Sequence, residues 1–431
     1  MSTVGEHGTA VRTQSCPECG EAVPMDARFG AWCDACDWNV DSAATKPGPG
    51  RIEALRRRLA QRHGQELLEE MREDTGARPR RDTSSLLAHI IALAVHGFTL
   101  ALAVVGVLLV VLGWSTVSQP VVGTLLLLLA IGLRPRFAKL PDYGTVLHRP
   151  DAPRLFALID EVAAAVGTTG VHTVVIGPQA NASVGTFGVR QRRVLHLGLG
   201  LWEILTPQER VALLGHELGH YANGDLRHAK IVGTALSSLS LWCYVLAPTR
   251  SPSFLERVAN ALMSVPRGLA HGLLVLLDHV TLRASQRAEY LADRAASAAA
   301  STTAVTALMD RLLVCDTVDT ELRRESVTAQ TGIGGTKSRG EAWQGLWERL
   351  AAHIASVPER EFERLRRAGA LRGHSVDSTH PPTHLRRRLV VEGEDLPARV
   401  RVDDLTAAAI AAELADPRNR LARTVIRDYA G

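Results

Sequence analysis

Aromatic residues and lysine are scarce in this sequence of 431 residues. Phe, Trp and Tyr make up 4% of the chain, too few for the stacking surface that single-stranded nucleic acid requires. The net charge is only +4, and almost all of the positive charge is arginine. Lysine occurs only at Lys46, Lys139, Lys230 and Lys337. We therefore expect no nucleic-acid partner.

The N-terminus lacks the apolar stretch of a secretory signal, so no such signal is expected. It holds two Cys-x2-Cys pairs instead, Cys16 with Cys19 and Cys33 with Cys36. This spacing predicts a zinc ribbon over residues 1–45, in which four thiolates hold a closed structural zinc. The alternative, two disulfides, conflicts with the cytoplasmic placement argued below.

Apolar residues, 46% of the chain, are bunched into runs. Residues 86–113 are almost uninterrupted and, at about 1.5 Å per residue, long enough to cross a hydrocarbon core of about 30 Å. Residues 121–133 follow after a short turn, which predicts a transmembrane hairpin over 85–135. A second apolar hairpin is predicted over 229–285, and whether its part 269–282 truly spans the membrane stays open.

The arginines and the lysine around the first hairpin predict its orientation. Basic residues flank both of its outer ends and are absent from the connecting turn, which places both ends in the cytoplasm. They are Arg78, Arg80, Arg81, Arg134, Arg136 and Lys139. The sequence thus predicts a multi-pass protein of the cell membrane, with the lipid bilayer as a partner and with the ribbon and the domain that follows the first hairpin cytoplasmic.

The central chemical signal is His-Glu-Leu-Gly-His at 216–220. Residues 206–209 (TPQE) supply an N-cap, a proline at the first helical position and a capping-box glutamate, so a helix begins here. His216 and His220 are then four residues apart on one helical face and can hold one ion together. Glu217 lies close enough to act as general base on a metal-bound water.

A catalytic zinc site needs a third protein ligand and an open position. The helical segment 289–293 (EYLAD) offers Glu289 and Asp293, which are again four residues apart on one face.

Between the ribbon and the first hairpin, residues 46–84 predict a linker and a charged helix. A solvated spacer is favoured there over a short dimerising coil, because the apolar stripe is poor.

The order of these motifs resembles the HtpX-like membrane zinc metallopeptidases, which are related to the CAAX prenyl proteases. The likeness rests on HELGHYANGD at 216–225, EYLAD at 289–293, NAS at 181–183 and THPPTH at 379–384. It covers the chain from about residue 85 to about residue 390. The zinc ribbon is an addition that the family does not explain.

The resemblance implies roles for particular residues. Glu289 would be the third zinc ligand, and Asp293 would orient a ligating histidine. His380 would stabilise the oxyanion of the tetrahedral intermediate. The segment Asn181, Ala182 and Ser183 would be the edge strand that pairs with the extended substrate. The family often has a bulky residue where Ser183 stands, so the substrate pocket is expected to differ.

Together these features predict a multi-domain α-helical membrane protein. Its catalytic domain would be a mainly α, α+β zincin of the gluzincin type, in an HExxH half (136–228) and a C-terminal helical half (286–431). It would hold two Zn²⁺, one catalytic and one structural, and hydrolyse proteins or peptides, with membrane proteins and their quality control as one candidate role.

Two alternatives remain open at this stage. One is a catalytically inert membrane-tethered adaptor that uses the ribbon, and the other is a prenyl-protein protease. The natural substrate, the cleavage preference, the role and partner of the ribbon and the oligomeric state are not given by the sequence.

Overall fold

The fold is described from a computed structural model. It describes residues 12–41, 62, 64–73, 83–135, 139–140, 144–188, 190–223, 225–248, 253–331, 341–372 and 381–428. This part of the chain is mostly helical, with a four-stranded β-sheet, a bundle of apolar helices and an N-terminal module that contains a two-stranded hairpin and four cysteines.

The N-terminal module is a short hairpin with two cysteine-bearing turns. Strand β1 (Thr13–Ser15) pairs antiparallel with β2 (Ala22–Pro24). Val23 is fully buried beside Cys16 and Cys33, so the interior of the module is built around its cysteines. So small a core needs a further cross-link to be stable, and four convergent thiols offer one.

Four helices form an apolar bundle. They are α2 (Thr83–Leu112), α3 (Ser118–Leu133), α7 (Asp225–Val245) and the first part of α8 (Phe254–Ala300). Leu239 and Leu277 are fully buried between them, and the indole of Trp242 donates to the Leu133 carbonyl at 3.2 Å. Two helices, Ser84–Leu112 and Glu256–Ala300, are long and apolar enough to cross a membrane. The helical stretches Ser118–Leu133 and Ile231–Val245 are apolar but shorter.

The sheet has four strands in the order β3-β4-β6-β5. The strands are β3 (Thr145–Leu147), β4 (Thr173–Gly177), β5 (Ala182–Phe187) and β6 (Arg192–Gly198), with β4 and β6 parallel and the other two pairs antiparallel. Buried strand residues share one hydrophobic core with helix α4 (Pro153–Ala165), which supplies Phe156 and Ile159 to it. The sequence pattern predicts a helix around Arg154–Val166 and strands at His172–Ile176, Asn181–Val189 and Arg193–Leu197, in the regions of α4, β4, β5 and β6. It does not predict β3, which is only three residues long.

The other helices of this part of the structure come after the sheet in the chain. They are α5 (Leu199–Trp202), α6 (Pro207–Ala222), α9 (Thr302–Leu312), α10 (Cys315–Thr331), α11 (Leu346–Ala355), α12 (Glu359–Arg372), α13 (Thr383–Val391), α14 (Asp404–Glu413) and α15 (Ala415–Asp428). Helix α8 runs without a break through the predicted boundary at 285/286. Its apolar half and the segment 289–293 therefore belong to one helix.

Residues 64–73 form helix α1, whose packing corrects the expectation of a solvated spacer. Leu67, Leu68 and Met71 are at most 1% exposed, and they pack against Tyr290 of α8 and Leu385 of α13. The apolar stripe in the sequence, which consists of Ile52, Leu55, Leu59 and Leu67, contains one of these positions. The full buried face appears only when its partners are in place. The described part of the charged segment is therefore a docked helix.

Candidate metal centre

Helix α6 carries the His-x3-His pair and begins with the predicted capping box. The Thr206 hydroxyl accepts from the Glu209 backbone N–H at 3.3 Å, and the Glu209 carboxylate accepts from the Thr206 N–H at 2.8 Å. The rings of His216 and His220 stand 5.0 Å apart, centroid to centroid, on the same face of the helix. Glu217, between them in sequence, is buried at 7% exposure.

Helix α8 lies unusually close to α6 because α6 is glycine at two positions of the contact. A Cβ added at Gly215 would come within 3.0 Å of the Ala296 Cα, and one at Gly219 within 3.1 Å of the Ala292 Cα. Such distances are shorter than ordinary contacts between carbon atoms. The glycines therefore let the two helix backbones approach, which brings Glu289 of α8 to the imidazoles of α6.

The two histidines and Glu289 converge on one point. Glu289 Oε2 lies 3.5 Å from His216 Nε2, and Glu289 Oε1 lies 3.6 Å from His220 Nε2. One ligand atom from each residue can be chosen so that all three lie within 4.8 Å of one another. Ligand atoms at about 2.0–2.1 Å from a tetrahedral zinc are about 3.3–3.4 Å apart, and the two N···O distances are slightly longer than this spacing.

Asp293 and Arg386 hold the side chains of this cluster in place. Asp293, 1% exposed, accepts from His216 Nδ1 at 2.9 Å, which leaves the Nε2 lone pair directed at the metal position. Arg386 of α13 donates to both Asp293 carboxylate oxygens, at 2.8 and 2.6 Å, and lies 3.2 Å from Glu289 Oε2. One guanidinium thus links the metal-facing carboxylate to the carboxylate that orients His216.

The protonation of the cluster follows from these contacts. Burial alone would lower the pKa of His216, but its hydrogen bonds with Asp293 and Glu289 outweigh burial and raise that pKa to about 10. Burial would raise the pKa of Asp293, but the Arg386 guanidinium and His216 hold it below its ordinary value. Without a metal His216 carries a proton, which an incoming cation must displace.

Strand β5 is the edge of the sheet on the side of α6. Among the described strands it pairs only with β6, so its other edge offers backbone groups to an extended chain. Asn181 immediately precedes β5, and Ala182 and Ser183 are its first residues. The Tyr221 hydroxyl of α6 donates to the Gly185 carbonyl at 2.6 Å, which fixes the helix against this strand.

A cavity of about 300 Å³ opens beside the start of β5, lined by Ser183, Gln179 and His196 among others. Ser183 faces His196 across the β5–β6 pair. Burial lowers the pKa of His196 below its ordinary value. The small side chain of Ser183 is one of those that line this space.

The four cysteines of the N-terminal module form the second metal-binding group. Cys16 Sγ lies 3.6 Å from Cys36 Sγ, and Cys19 Sγ lies 3.5 Å from Cys33 Sγ. All four thiols are free, and the four Sγ atoms lie within 4.8 Å of one another. Tetrahedral zinc with Zn–S distances of about 2.3 Å requires S···S separations of about 3.8 Å, so the group suits zinc.

One predicted residue cannot be placed and one important residue is not predicted. His380 lies outside the described residues. Arg386 is absent from the expectations, because it is the first of three consecutive arginines, 386–388, and composition does not distinguish them. The helical phase does, since Arg386 is 7% exposed and shares the buried face of α13 with Leu385 and Leu389.

Comparisons with known proteins point to one family. The family model described as Peptidase family M48 matches residues 150–392, which include α6, Glu289 and Arg386. No solved structure matches.

Several curated relatives carry the name HtpX. A "Protease HtpX homolog" of Syntrophobacter fumaroxidans is 27% identical over 157 residues, 35% of this chain and 55% of that protein. One of Pyrobaculum calidifontis is 26% identical over 251 residues, 58% of this chain and 69% of that protein. "Protease HtpX" of Xylella fastidiosa is 27% identical over 199 residues, 43% of this chain and 67% of that protein. The chain thus spans little more than half of the first relative's length.

Proposed function

Because the chain belongs to Peptidase family M48, we propose that it is an integral-membrane zinc metalloendopeptidase that cleaves proteins at the cytoplasmic face of the membrane. The observation that carries the proposal is the meeting of Glu289 of α8 with His216 and His220 of α6 at 3.5 and 3.6 Å. Three such donors with the fourth position left to solvent are the pattern of a catalytic rather than a structural zinc site.

The chemistry divides among residues of three elements. Bound zinc would lower the pKa of its water toward about 7 and polarise the scissile carbonyl. Glu217 would act as general base, taking a proton from the attacking water and passing it to the leaving amine. Asp293 holds His216 in the tautomer that ligates, and Arg386 holds Asp293 and Glu289 in place. For His380 we propose stabilisation of the developing oxyanion.

Substrate binding is proposed at the free edge of β5. An extended peptide that pairs with this strand gains backbone hydrogen bonds whatever its sequence, and its alternate side chains give specificity. The Tyr221 hydroxyl of α6 ties β5 to the helix at Gly185, which supports a path for the bound chain along the side of α6. This arrangement suits an endopeptidase, because β-pairing requires no free chain end.

Membrane integration is proposed from the helical bundle. Only 17% of the most apolar window of α2 is buried within the chain, so a helix enclosed in a soluble core does not account for it. Leu100, Val111 and Leu112 are each more than 60% exposed. Apolar side chains displayed along a helix of this length are suited to lipid. The metal ligands of α6 and α8 are then on one side of the bilayer, because α7 and the first part of α8 lead out and back.

The test is a comparison of wild type with Glu217→Gln, using casein-type cleavage and zinc content. We expect the Glu217→Gln variant to keep the zinc content and to lose at least about a hundredfold in kcat, because the general base is removed. Glu161→Gln, an exposed position on α4, is the matched control and should cleave at the wild-type rate. Equal cleavage by wild type and Glu217→Gln would eliminate this mechanism and leave the inert adaptor as the explanation. A separate assay with a farnesylated peptide as substrate tests the prenyl-protease alternative.

A further inference from the structure

The N-terminal ribbon is docked on the catalytic half of the same chain. Trp32 and Val40 of the ribbon and Ala368 of α12 form a small apolar cluster in which each is at most 3% exposed. Arg28 of the ribbon donates to the Ser356 carbonyl at 3.1 Å, just before α12. The module is therefore held in cis rather than displayed on a free tether.

Helix α12 holds the ribbon through a row of arginines on one face. Arg360 donates to the Trp32 carbonyl at 2.6 Å, and its guanidinium lies 4.6 Å from the centre of the Trp32 ring. Arg364 donates to the Val40 carbonyl at 2.8 Å. Positions 360, 364 and 367 recur at helical spacing, so the three arginines lie on one side of α12, and this side contacts the ribbon.

These contacts are made to the second cysteine knuckle. Arg367 donates to the Asp34 carbonyl at 2.7 Å and to the Asp37 carboxylate at 2.9 Å. Asp34 lies between Cys33 and Cys36, and Asp37 follows directly. The backbone carbonyls that α12 recognises keep these positions only while the knuckle is closed. Small modules of this kind fold when they bind their metal and unfold when they lose it.

Helix α12 is also linked to the metal centre, through Asp310 and the arginines of α13. Arg366 of α12 lies 3.0 Å from Asp310 Oδ2, and Arg387 of α13 lies 3.2 Å from Asp310 Oδ1. Asp310 of α9 thus bridges the two helices. Arg387 is the immediate neighbour of Arg386, which holds Asp293 and Glu289.

We propose that the metal-loaded ribbon is a positioning module of the peptidase, and that binding of its metal fixes α12 and α13 so that Arg386 supports the catalytic ligands. The two-state element is the knuckle, which is closed with metal and open without it. Loss of the ribbon metal frees α12, loosens the Asp310 bridge and weakens the hold of Arg386. Only the assignment of Arg386 to a zinc site rests on the proposed function.

The test is made in the full-length Glu217→Gln background, so that its readouts do not depend on cleavage. The readouts are hydrogen exchange in α12 and α13 and the rate at which a chelator removes the zinc of the His216–His220–Glu289 site. Cys36→Ser should lower the zinc content by about one ion per chain and raise exchange in both helices. It should also speed release of the remaining zinc by about tenfold, the lower limit for disturbing a residue that orients metal ligands.

A second pair of variants separates docking from folding of the ribbon. Arg360→Ala combined with Arg367→Ala should keep the ribbon zinc and still raise exchange in α13 and speed zinc release. Arg420→Ala, which removes an exposed helix arginine paired with Asp416 of its own helix, is the control and should change neither readout. Wild-type exchange in α13 and wild-type zinc release in both the Cys36 and the double arginine variant would overturn the proposal.

Cleavage assays with active enzyme add a separate check. Since the ribbon contacts given above are made to Ser356 and α12, the double arginine variant should lower kcat more than it raises KM. Failure of the proposed peptidase function would appear as equal cleavage by wild type and Glu217→Gln, whatever the exchange and zinc-release results. The two failures are therefore distinguishable.

Discussion

At the scale of single residues, the buried arginine of α13 links the parts of the metal centre. Arg386 is 7% exposed and contacts Asp293 and Glu289, two carboxylates that are themselves almost fully buried. Buried carboxylates without a partner are costly, and removing one member of such a group typically costs about 3–5 kcal/mol. We infer that the positive charge of Arg386 compensates these two carboxylates in the metal-free protein, and that a bound metal adds to this compensation.

We therefore expect Arg386→Met to lower the stability of the metal-free protein and to weaken zinc binding by about 10–100-fold. The cause is the loss of both hydrogen bonds that fix Asp293. Zinc affinity measured by competition with a chelator checks the prediction. Arg388→Met, two residues away and paired with Glu392 on the surface of the same helix, should bind zinc as wild type does. Equal affinity in both variants would contradict the role given to Arg386.

The residue scale also shows where sequence reasoning succeeds and fails. His216 and His220 follow from their spacing on one helix, Glu289 is implied by the resemblance to a known family, and the structure brings the three together. Arg386 does not follow, because its neighbours in the arginine run have the same chemistry and only the packing of α13 selects one of them. Residue roles that depend on which face is buried need the tertiary partners.

At the scale of secondary-structure elements, the centre depends on the close approach of α6 and α8. Gly219 faces Ala292 and Ala295, with 3.1 Å left to each for an added Cβ. Because the ligands come from both helices, any increase in their separation moves Glu289 away from the imidazoles. Gly219 is therefore needed for the geometry of the metal site as well as for the packing of the two helices.

We expect Gly219→Ala to cost about 1–3 kcal/mol, the usual range for overpacking, and to reduce zinc content. Gly233→Ala on α7 is the matched control, since nothing lies within 4 Å of its added Cβ. Thermal unfolding and zinc content of both variants check the prediction. A Gly219→Ala protein with the melting temperature and zinc content of the control would refute the account of this contact.

Helix α1 is the element for which the sequence is least informative. Its charged residues predict solvent exposure, yet Glu70 pairs with Arg283 at 2.6 Å and with Arg287 at 2.9 Å, both on α8. The apolar face of Leu67, Leu68 and Met71 is short, and its significance depends on a cluster contributed by α8 and α13. Long-range partners of this kind are not encoded in local periodicity.

Leu68→Ala should lower stability by about 2–5 kcal/mol, the range for a buried leucine that leaves a cavity. Gln65→Ala, an exposed position on the same helix, should leave stability within about 0.5 kcal/mol of wild type. The melting temperatures of the two variants in one detergent give the comparison. If both were equally stable, α1 would be a spacer as the sequence suggests.

At the scale of the whole molecule, α8 joins the apolar bundle to the metal centre. It spans Phe254–Ala300 and at about 1.5 Å per residue is about 70 Å long. Its first part packs with α2 and α7, while its last part carries Glu289 and Asp293. A helix of this kind holds the site at a fixed distance from the bundle, which suits cleavage of chains close to a membrane.

Membrane integration predicts behaviour on fractionation. We expect the full chain to stay in the membrane pellet after washing with alkaline carbonate and to require detergent for release, because in the proposed arrangement the exposed apolar side chains of α2 and α3 would meet lipid. A soluble cytoplasmic protein and a known integral protein serve as controls. Release by carbonate alone would show that the bundle lies on or outside the bilayer.

The central claim is that His216, His220 and Glu289 together hold a zinc ion, and the zinc content of Glu289→Ala tests it most directly. With the cysteine site intact, we expect wild type and Glu217→Gln to carry about two zinc ions per chain and Glu289→Ala to carry about one. A Glu289→Ala protein that retained the wild-type zinc content after dialysis against a weak chelator would contradict the claim.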